Sequence, residues 1–194
     1  MRIFLLICLT FLPFALPSGP AHAGVCEDMW YSRNWIMDRA GYCFGTPLGQ
    51  TYFDTSDCIG KNVTLTSWDA ERVAELRETE QDQGCTLNTQ STYLALDDIQ
   101  FRRLLVEQPI LFPEGEGFTC MGYTGSGVSL FAGPDSNSGV ISALEPGDWY
   151  RTRHTDIGAW TYITATAPQS DAVKAAGWAM FAPESYAQCL EAAG

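Results

Sequence analysis

Apolar residues recur at Met29, Trp30, Ile36, Met37 and Ala40, the i, i+3, i+4, i+7 spacing of one helix face, and predict a helix from Cys26 to Ala40. Glu27 and Asp28 stand in its first turn, where carboxylates suit the positive end of the helix dipole. Gly41 follows the last periodic residue, in place for a left-handed cap. Thr46 and Pro47 open a short second helix running to about Phe53, and Asp54–Asp57 is turn chemistry. Thr66-Ser67 introduces a third helix, with Trp68, Val73 and Leu76 inward and Gly84 as its stop.

The next section connects. Thr86–Thr92 is polar, whereas Leu96–Glu107 has helical spacing that places Ile99, Leu104 and Leu105 on one side. Pro109, Pro113 and Gly115-Glu116-Gly117 break all periodicity, and the domain boundary is placed there. From Phe118 the pattern becomes short strands divided by Gly, Pro, Asn and Asp. They are expected at Phe118–Tyr123, Val128–Phe131, Val140–Leu144, Trp149–Thr155, Trp160–Thr164 and Trp178–Phe181, a number and spacing that suggest a small barrel.

The start of the chain alters the picture. Arg2, the apolar run Ile3–Leu16 and the small-x-small triplet Ala21-His22-Ala23 have the form of a signal peptide over residues 1–23. A membrane span needs about 20 apolar residues, more than this run supplies, and no later stretch does better. The mature chain then carries 10 Lys and Arg against 23 Asp and Glu, a net charge of −13. Such a balance provides no basic footprint for nucleic acid or anionic lipid.

Six cysteines follow the signal: Cys26, Cys43, Cys58, Cys85, Cys120 and Cys189. An even number in an exported chain implies a disulfide framework, and the absence of any CxxC argues against zinc. Cys26 and Cys43 flank the first helix, which would hold them roughly 20 Å apart, beyond the roughly 7 Å a bridge allows. If the third helix runs antiparallel to the first, Cys85 returns beside Cys26 and leaves Cys43 for Cys58. Cys120–Cys189 would then tie the tail Glu184–Glu191 to the first strand.

Two resemblances are visible. Arg33, Asn34, Ile36, Arg39, Gly41, Tyr42 and Phe44 match the Arg-Asn-x-Ile-Tyr-Ala-Arg-His-Gly-Tyr-x-Phe core of the YARHG domain of exported bacterial proteins. Leu48, Tyr52-Phe53 and the acidic third helix also fit, while Met37, Asp38 and Ala40 replace the Tyr, Ala and His of the name. Residues 26–85 thus resemble a divergent YARHG module, and the resemblance implies a compartment and a shape but no chemistry. Val128–Asp135, Val140–Gly147, Trp160–Ile163 and Gly177–Met180 resemble a bacterial SH3-like domain over about residues 118–183. It lacks the arginine of that family's opening motif and has Ala165–Ala176 as an apparent insertion. The resemblance implies binding of cell-wall peptides or protein partners.

Candidate chemistry is sparse. Arg33 falls on the apolar face between Trp30 and Met37, where a guanidinium must be paired; it is read as an internal clamp on the loop after Gly41, and Asn34 and Arg39 are read as structural likewise. His154 is the one histidine left after the signal. With Asp148 or Asp156 it could serve a hydrolase, but no serine stands in a nucleophile elbow, and it is read as an exposed hairpin residue. Asp135-Ser136-Asn137-Ser138-Gly139 begins like a calcium loop, but Pro146 occupies the place of the twelfth-position glutamate, leaving a surface loop. Asp97 and Asp98 point apart on a helix and are read as capping or solvated. Trp160 and Trp178 are assigned to the core. Trp149, Tyr150 and Tyr123 are the candidate ligand-binding aromatics.

These readings predict an α+β protein in which a disulfide-stabilised helical module precedes a small SH3-like β-barrel. It is expected to be periplasmic or secreted, to need no cofactor or metal, and to act by non-catalytic recognition of a peptidoglycan fragment or another exported protein. An inhibitor or immunity protein is one alternative; a hydrolase using His154 is another.

Overall fold

The computed structural model describes residues 24–111, 117–181 and 188–194. The expected signal peptide, Pro113 and Gly115-Glu116 of the breaker cluster, and the first part of the expected tail lie outside them. Four helices come first: α1 (Val25–Arg39), α2 (Pro47–Tyr52), α3 (Ser67–Asp82) and the single turn α4 (Ile99–Arg102). Seven strands follow: β1 (Phe118–Tyr123), β2 (Val128–Phe131), β3 (Val140–Leu144), β4 (Trp149–Thr152), β5 (Trp160–Thr166), β6 (Val173–Met180) and β7 (Cys189–Ala193).

Helix α1 is the hub of the first half. Its boundaries follow local chemistry: Glu27 Oε2 accepts the Gly24 amide at 2.9 Å at the start, and Gly41 at φ 83° turns the chain away at the end. One side, with Met29 and Ile36, packs on Val73 and Leu76 of α3 and on Leu111. Another, with Trp30 and Tyr31, packs on Phe44, Leu48, Phe53, Leu94 and Leu96. Burying each such side chain contributes about 1.5–3 kcal/mol. Thr66 caps α3, and Thr46 with Pro47 caps α2 as their residue types predict. Trp68, however, is 65% exposed rather than inward.

The antiparallel course of α1 and α3 brings Cys85 beside Cys26, with Cα atoms 5.4 Å apart. Cys43–Cys58 closes the loop between α1 and α3, and Cys120–Cys189 joins β1 to β7.

The strands form one antiparallel sheet in the order β3-β2-β6-β5-β4-β1-β7. Among the described residues β3 and β7 are its edges, so the sheet is not closed into the expected barrel. Its middle strands are covered on both faces. Along β5, Ile163 and Ala165 enter the core with Cys120, Leu130 and Tyr150, whereas Tyr162 points the opposite way. Along β6, Ala175 and Ala179 join the first face while Ala176 and Trp178 join the second. This is the period-two alternation of a strand with both sides buried.

The second face is covered by Leu105 and Phe101 from the connecting section. Only Ile99–Arg102 of the expected Leu96–Glu107 helix is helical, and Leu104 is exposed while Leu105 is buried. Half of the apparent insertion Ala165–Ala176 is strand, since Ala165-Thr166 end β5 and Val173–Ala176 begin β6. The tail end at Cys189–Ala193 is a strand paired to β1. Trp178 is fully buried, whereas Trp160 is only half-buried.

Candidate functional site

The third side of α1 carries Asp28 and Ser32, one turn apart and both buried. Facing them is Arg102, which has no exposed surface. Its Nε donates to Asp98 Oδ2 at 3.0 Å, Nη1 to Ser32 Oγ at 3.3 Å, and Nη2 to Asp28 Oδ2. Tyr162 of β5 donates its hydroxyl to Asp98 Oδ2 at 2.8 Å and lies under the guanidinium, 5.2 Å from its ring centre. Ser32 donates to the Pro109 carbonyl at 3.1 Å, and Gln108 Nε2 to the Arg102 carbonyl at 2.8 Å. One buried network therefore joins α1, the connecting section and the sheet.

His154 belongs to this network and is not an exposed hairpin residue. Its Nε2 lies 2.7 Å from Asp28 Oδ2 and 3.0 Å from Arg102 Nη2. Arginine only donates, so Nε2 accepts from Arg102 in one tautomer and donates to Asp28 in the other. The ring stands edge-on to Tyr162 at 5.1 Å.

Burial raises the Asp28 carboxyl, but the positive charge of Arg102 and the contact with His154 outweigh it and hold the group well below the usual carboxylate range. Burial pushes the His154 imidazole down, and the pull of Asp28 does not fully restore it. Burial and the Asp98 charge push the Tyr162 phenol well up. The network thus holds an ionised aspartate, a charged arginine and a neutral histidine. With every member buried, this arrangement clamps α1, the connecting section and the sheet together.

Neither acid considered for His154 is its partner. Asp148 accepts from Lys174 Nζ at 2.8 Å and from the Glu145 amide at 2.9 Å, securing the turn before β4. Asp156 is exposed.

Beside the network, between α3 and the turn after His154, lies a groove of about 640 Å³. Trp68, Pro134 and Ile157 give it apolar walls, and Arg72 with Glu107 forms a polar floor. Arg72 is buried, with Nη1 2.9 Å from Glu107 Oε1. The Glu107 backbone is fixed in turn, because its carbonyl accepts from Trp178 Nε1 at 2.9 Å. The turn wall is fixed by the Thr155 amide bonding to the Ile110 carbonyl at 2.8 Å and by the bridge between Leu111 and His154. The clamp on His154 thereby sets where Thr155–Gly158 stand.

The remaining residues singled out from sequence are placed as follows. Arg33 is paired, but with Glu80 of α3 at 3.0 Å and not with the loop after Gly41. Asn34 donates to the Trp30 carbonyl at 2.7 Å within its own helix. Arg39 is largely exposed, stacks 4.5 Å over Trp35 and lies 3.9 Å from Glu107. Tyr150 and Tyr123 are buried in the sheet core, where they pack edge-on at 6.0 Å. Trp149 is half-buried. Asp135 turns the exposed loop by accepting the Asn137 amide. No cluster able to hold a metal occurs among the described residues.

Sequence reasoning gave Arg102 and Arg72 no part in a site and did not pair Asp28, and Asp98, read as capping or solvated, is instead buried and accepts from Arg102 and Tyr162. The spacing Asp98–Arg102 is that of a helical ion pair, but a four-residue helix gives little periodicity to show which face is buried. Asp28 was assigned to the helix dipole because its partner lies 74 positions away.

No curated protein and no solved structure matches this chain. Residues 15–81 match the YARHG domain, in agreement with the motif at Arg33–Phe44. Residues 84–194, more than half of the chain, match the family described as Domain of unknown function (DUF4453), and no match to an SH3 domain accompanies it. The chain therefore belongs to the DUF4453 family and carries a YARHG domain before it.

Proposed function

We propose that this protein is an exported, non-catalytic recognition protein of the bacterial envelope, and that its groove between α3 and Thr155–Gly158 is the binding surface. Three disulfides and a YARHG domain fit an extracytoplasmic location. The finer reading is periplasm or external medium, with another exported protein or a wall fragment as ligand. The observation that carries the proposal is Trp68, 65% exposed and lining the groove together with Ile157, itself 41% exposed. Large aromatic residues left uncovered beside a concave surface are the usual anchors of recognition. Pro134 in the same groove belongs to the stretch that resembles the SH3-like opening motif, a likeness that supports peptide or wall binding.

The test is saturable binding of the purified, oxidised protein to envelope extract and to isolated peptidoglycan, with Trp68→Ala alongside. Trp68→Ala leaves the fold intact, because its side chain is mostly in solvent, and is expected to lower affinity at least tenfold. Saturable binding to neither material, or binding that Trp68→Ala leaves unchanged, overturns the proposal.

A further inference from the structure

The groove does not end at Trp68. A second concavity along α3 shares Arg72, Glu75, Ile110 and Thr155 with it and continues past Glu78 to Asp82. The two make one elongated channel with apolar walls, Arg72 in the floor of both halves and carboxylates along its side. Two independent features point to what fits there. The first is Arg72, about nine-tenths buried, which lines both halves of the channel yet uses only Nη1, on Glu107. Its Nε is a buried donor with no partner, and Nη2 makes no hydrogen bond among the described residues. A guanidinium in that setting lacks an acceptor. The second is charge. Glu107 is engaged by Arg72 and Arg39, but Glu75, Glu78, Asp82 and Asp156 have no ion-pair partner among the described residues. An anionic ligand would be repelled, so the acceptor that approaches Arg72 is a neutral carbonyl carried by a cationic chain.

Resting on the reading of the groove as a recognition surface, we propose that the channel takes an extended, basic polypeptide segment of a partner protein. An apolar side chain of that segment lies against Trp68, Pro134 and Ile157. Its Lys or Arg residues face Glu75 and Asp156, and a backbone carbonyl meets the guanidinium edge of Arg72.

The experiment uses the full oxidised protein and three synthetic, end-blocked 12-residue peptides with the same leucines, separated by Lys, Gln or Glu. The readout is the NMR shift of the Trp68 indole N–H during titration. Binding of the Lys peptide is expected to be at least tenfold tighter than that of the Gln peptide, with none for the Glu peptide. Glu75→Gln/Asp156→Asn should abolish the preference, whereas the distant Asp54→Asn/Asp57→Asn should retain it. Equal binding of Lys and Gln peptides at Trp68, or loss of preference in the distant variant as well, overturns the basic segment and leaves the groove reading standing. Shifts with solubilised wall fragments but with no peptide do the same. No shift with any of these ligands overturns both.

Discussion

His154 Nε2 lies 2.7 Å from Asp28 Oδ2, joining the turn after β4 to the first turn of α1 across 126 positions of the chain. Arg102 completes the contact, so the helical module and the sheet share a buried ionic joint. Such a joint is costly to assemble, since each ion loses its hydration, and costlier to leave half-made. Its consequence is positional: the segment that walls the groove starts at Thr155, next to the residue the joint holds.

Removing one charge of the joint should destabilise the whole protein. Asp28→Ala leaves Arg102 buried with only Asp98 as counter-ion and is expected to cost about 3–5 kcal/mol. For a chain of this size that corresponds to a fall in Tm of roughly 6–20 °C. Calorimetry with the disulfides intact measures it, and a loss below about 1 kcal/mol would contradict the buried pairing.

Acidification should weaken the fold through the same residues. The His154 imidazole is harder to protonate in the folded protein than its ordinary value of 6.5, so the unfolded chain takes up more protons as pH falls below that value. Stability is therefore lost on going down through that range. Asp28 acts in the same direction further down, because its folded carboxyl stays ionised below its ordinary value of 3.8. Urea denaturation between pH 7 and pH 5 should show a smaller pH dependence in His154→Gln than in the wild type.

Asp38 behaves in the opposite sense. Partial burial and the nearby charges of Asp57 and Asp54 push its carboxyl up to about 6. Its ionised form is thus disfavoured in the fold, which costs stability above that pH and nothing below the ordinary value of 3.8. Asp38→Asn should raise Tm at pH 7.5 and leave it nearly unchanged at pH 4. Equal effects at both pH values would show that charge is not the cause.

The three bridges should differ in their effect. In the chain-entropy account a bridge spanning 15 residues contributes about 3 kcal/mol and one spanning 69 about 4 kcal/mol. Cys120→Ser/Cys189→Ser should accordingly lower stability more than Cys43→Ser/Cys58→Ser, with the added effect of loosening β7 from the sheet edge. Hydrogen exchange of the β7 amides tests the second part: protection there should fall while that of β5 is retained.

Much of the local structure was legible in the residues. The starts of α2 and α3 are set by their caps, the end of α1 by Gly41, and β1, β2 and β3 by alternation between turn residues. These depend on interactions between neighbours in the chain. The YARHG likeness was legible for the same reason, since its motif lies within one helix and its cap. What the pattern reported poorly was depth: Trp68 has the periodicity of a core residue and lies in solvent, while Tyr150 has the look of a contact residue and lies in the core.

What the chain determined alone was where α1, α2, α3 and β1–β5 begin, the even number of cysteines after residue 23, and an acidic balance. Tertiary structure alone decided that Leu105 covers the second face of the sheet, that Asp28, Arg102 and His154 meet, and that Arg72 is buried with donors to spare. Each of these pairs residues dozens of positions apart, and neither partner's own neighbourhood encodes the other. Burial and charge compensation are properties of the assembled packing; hydrophobic period and capping are properties of a few consecutive residues.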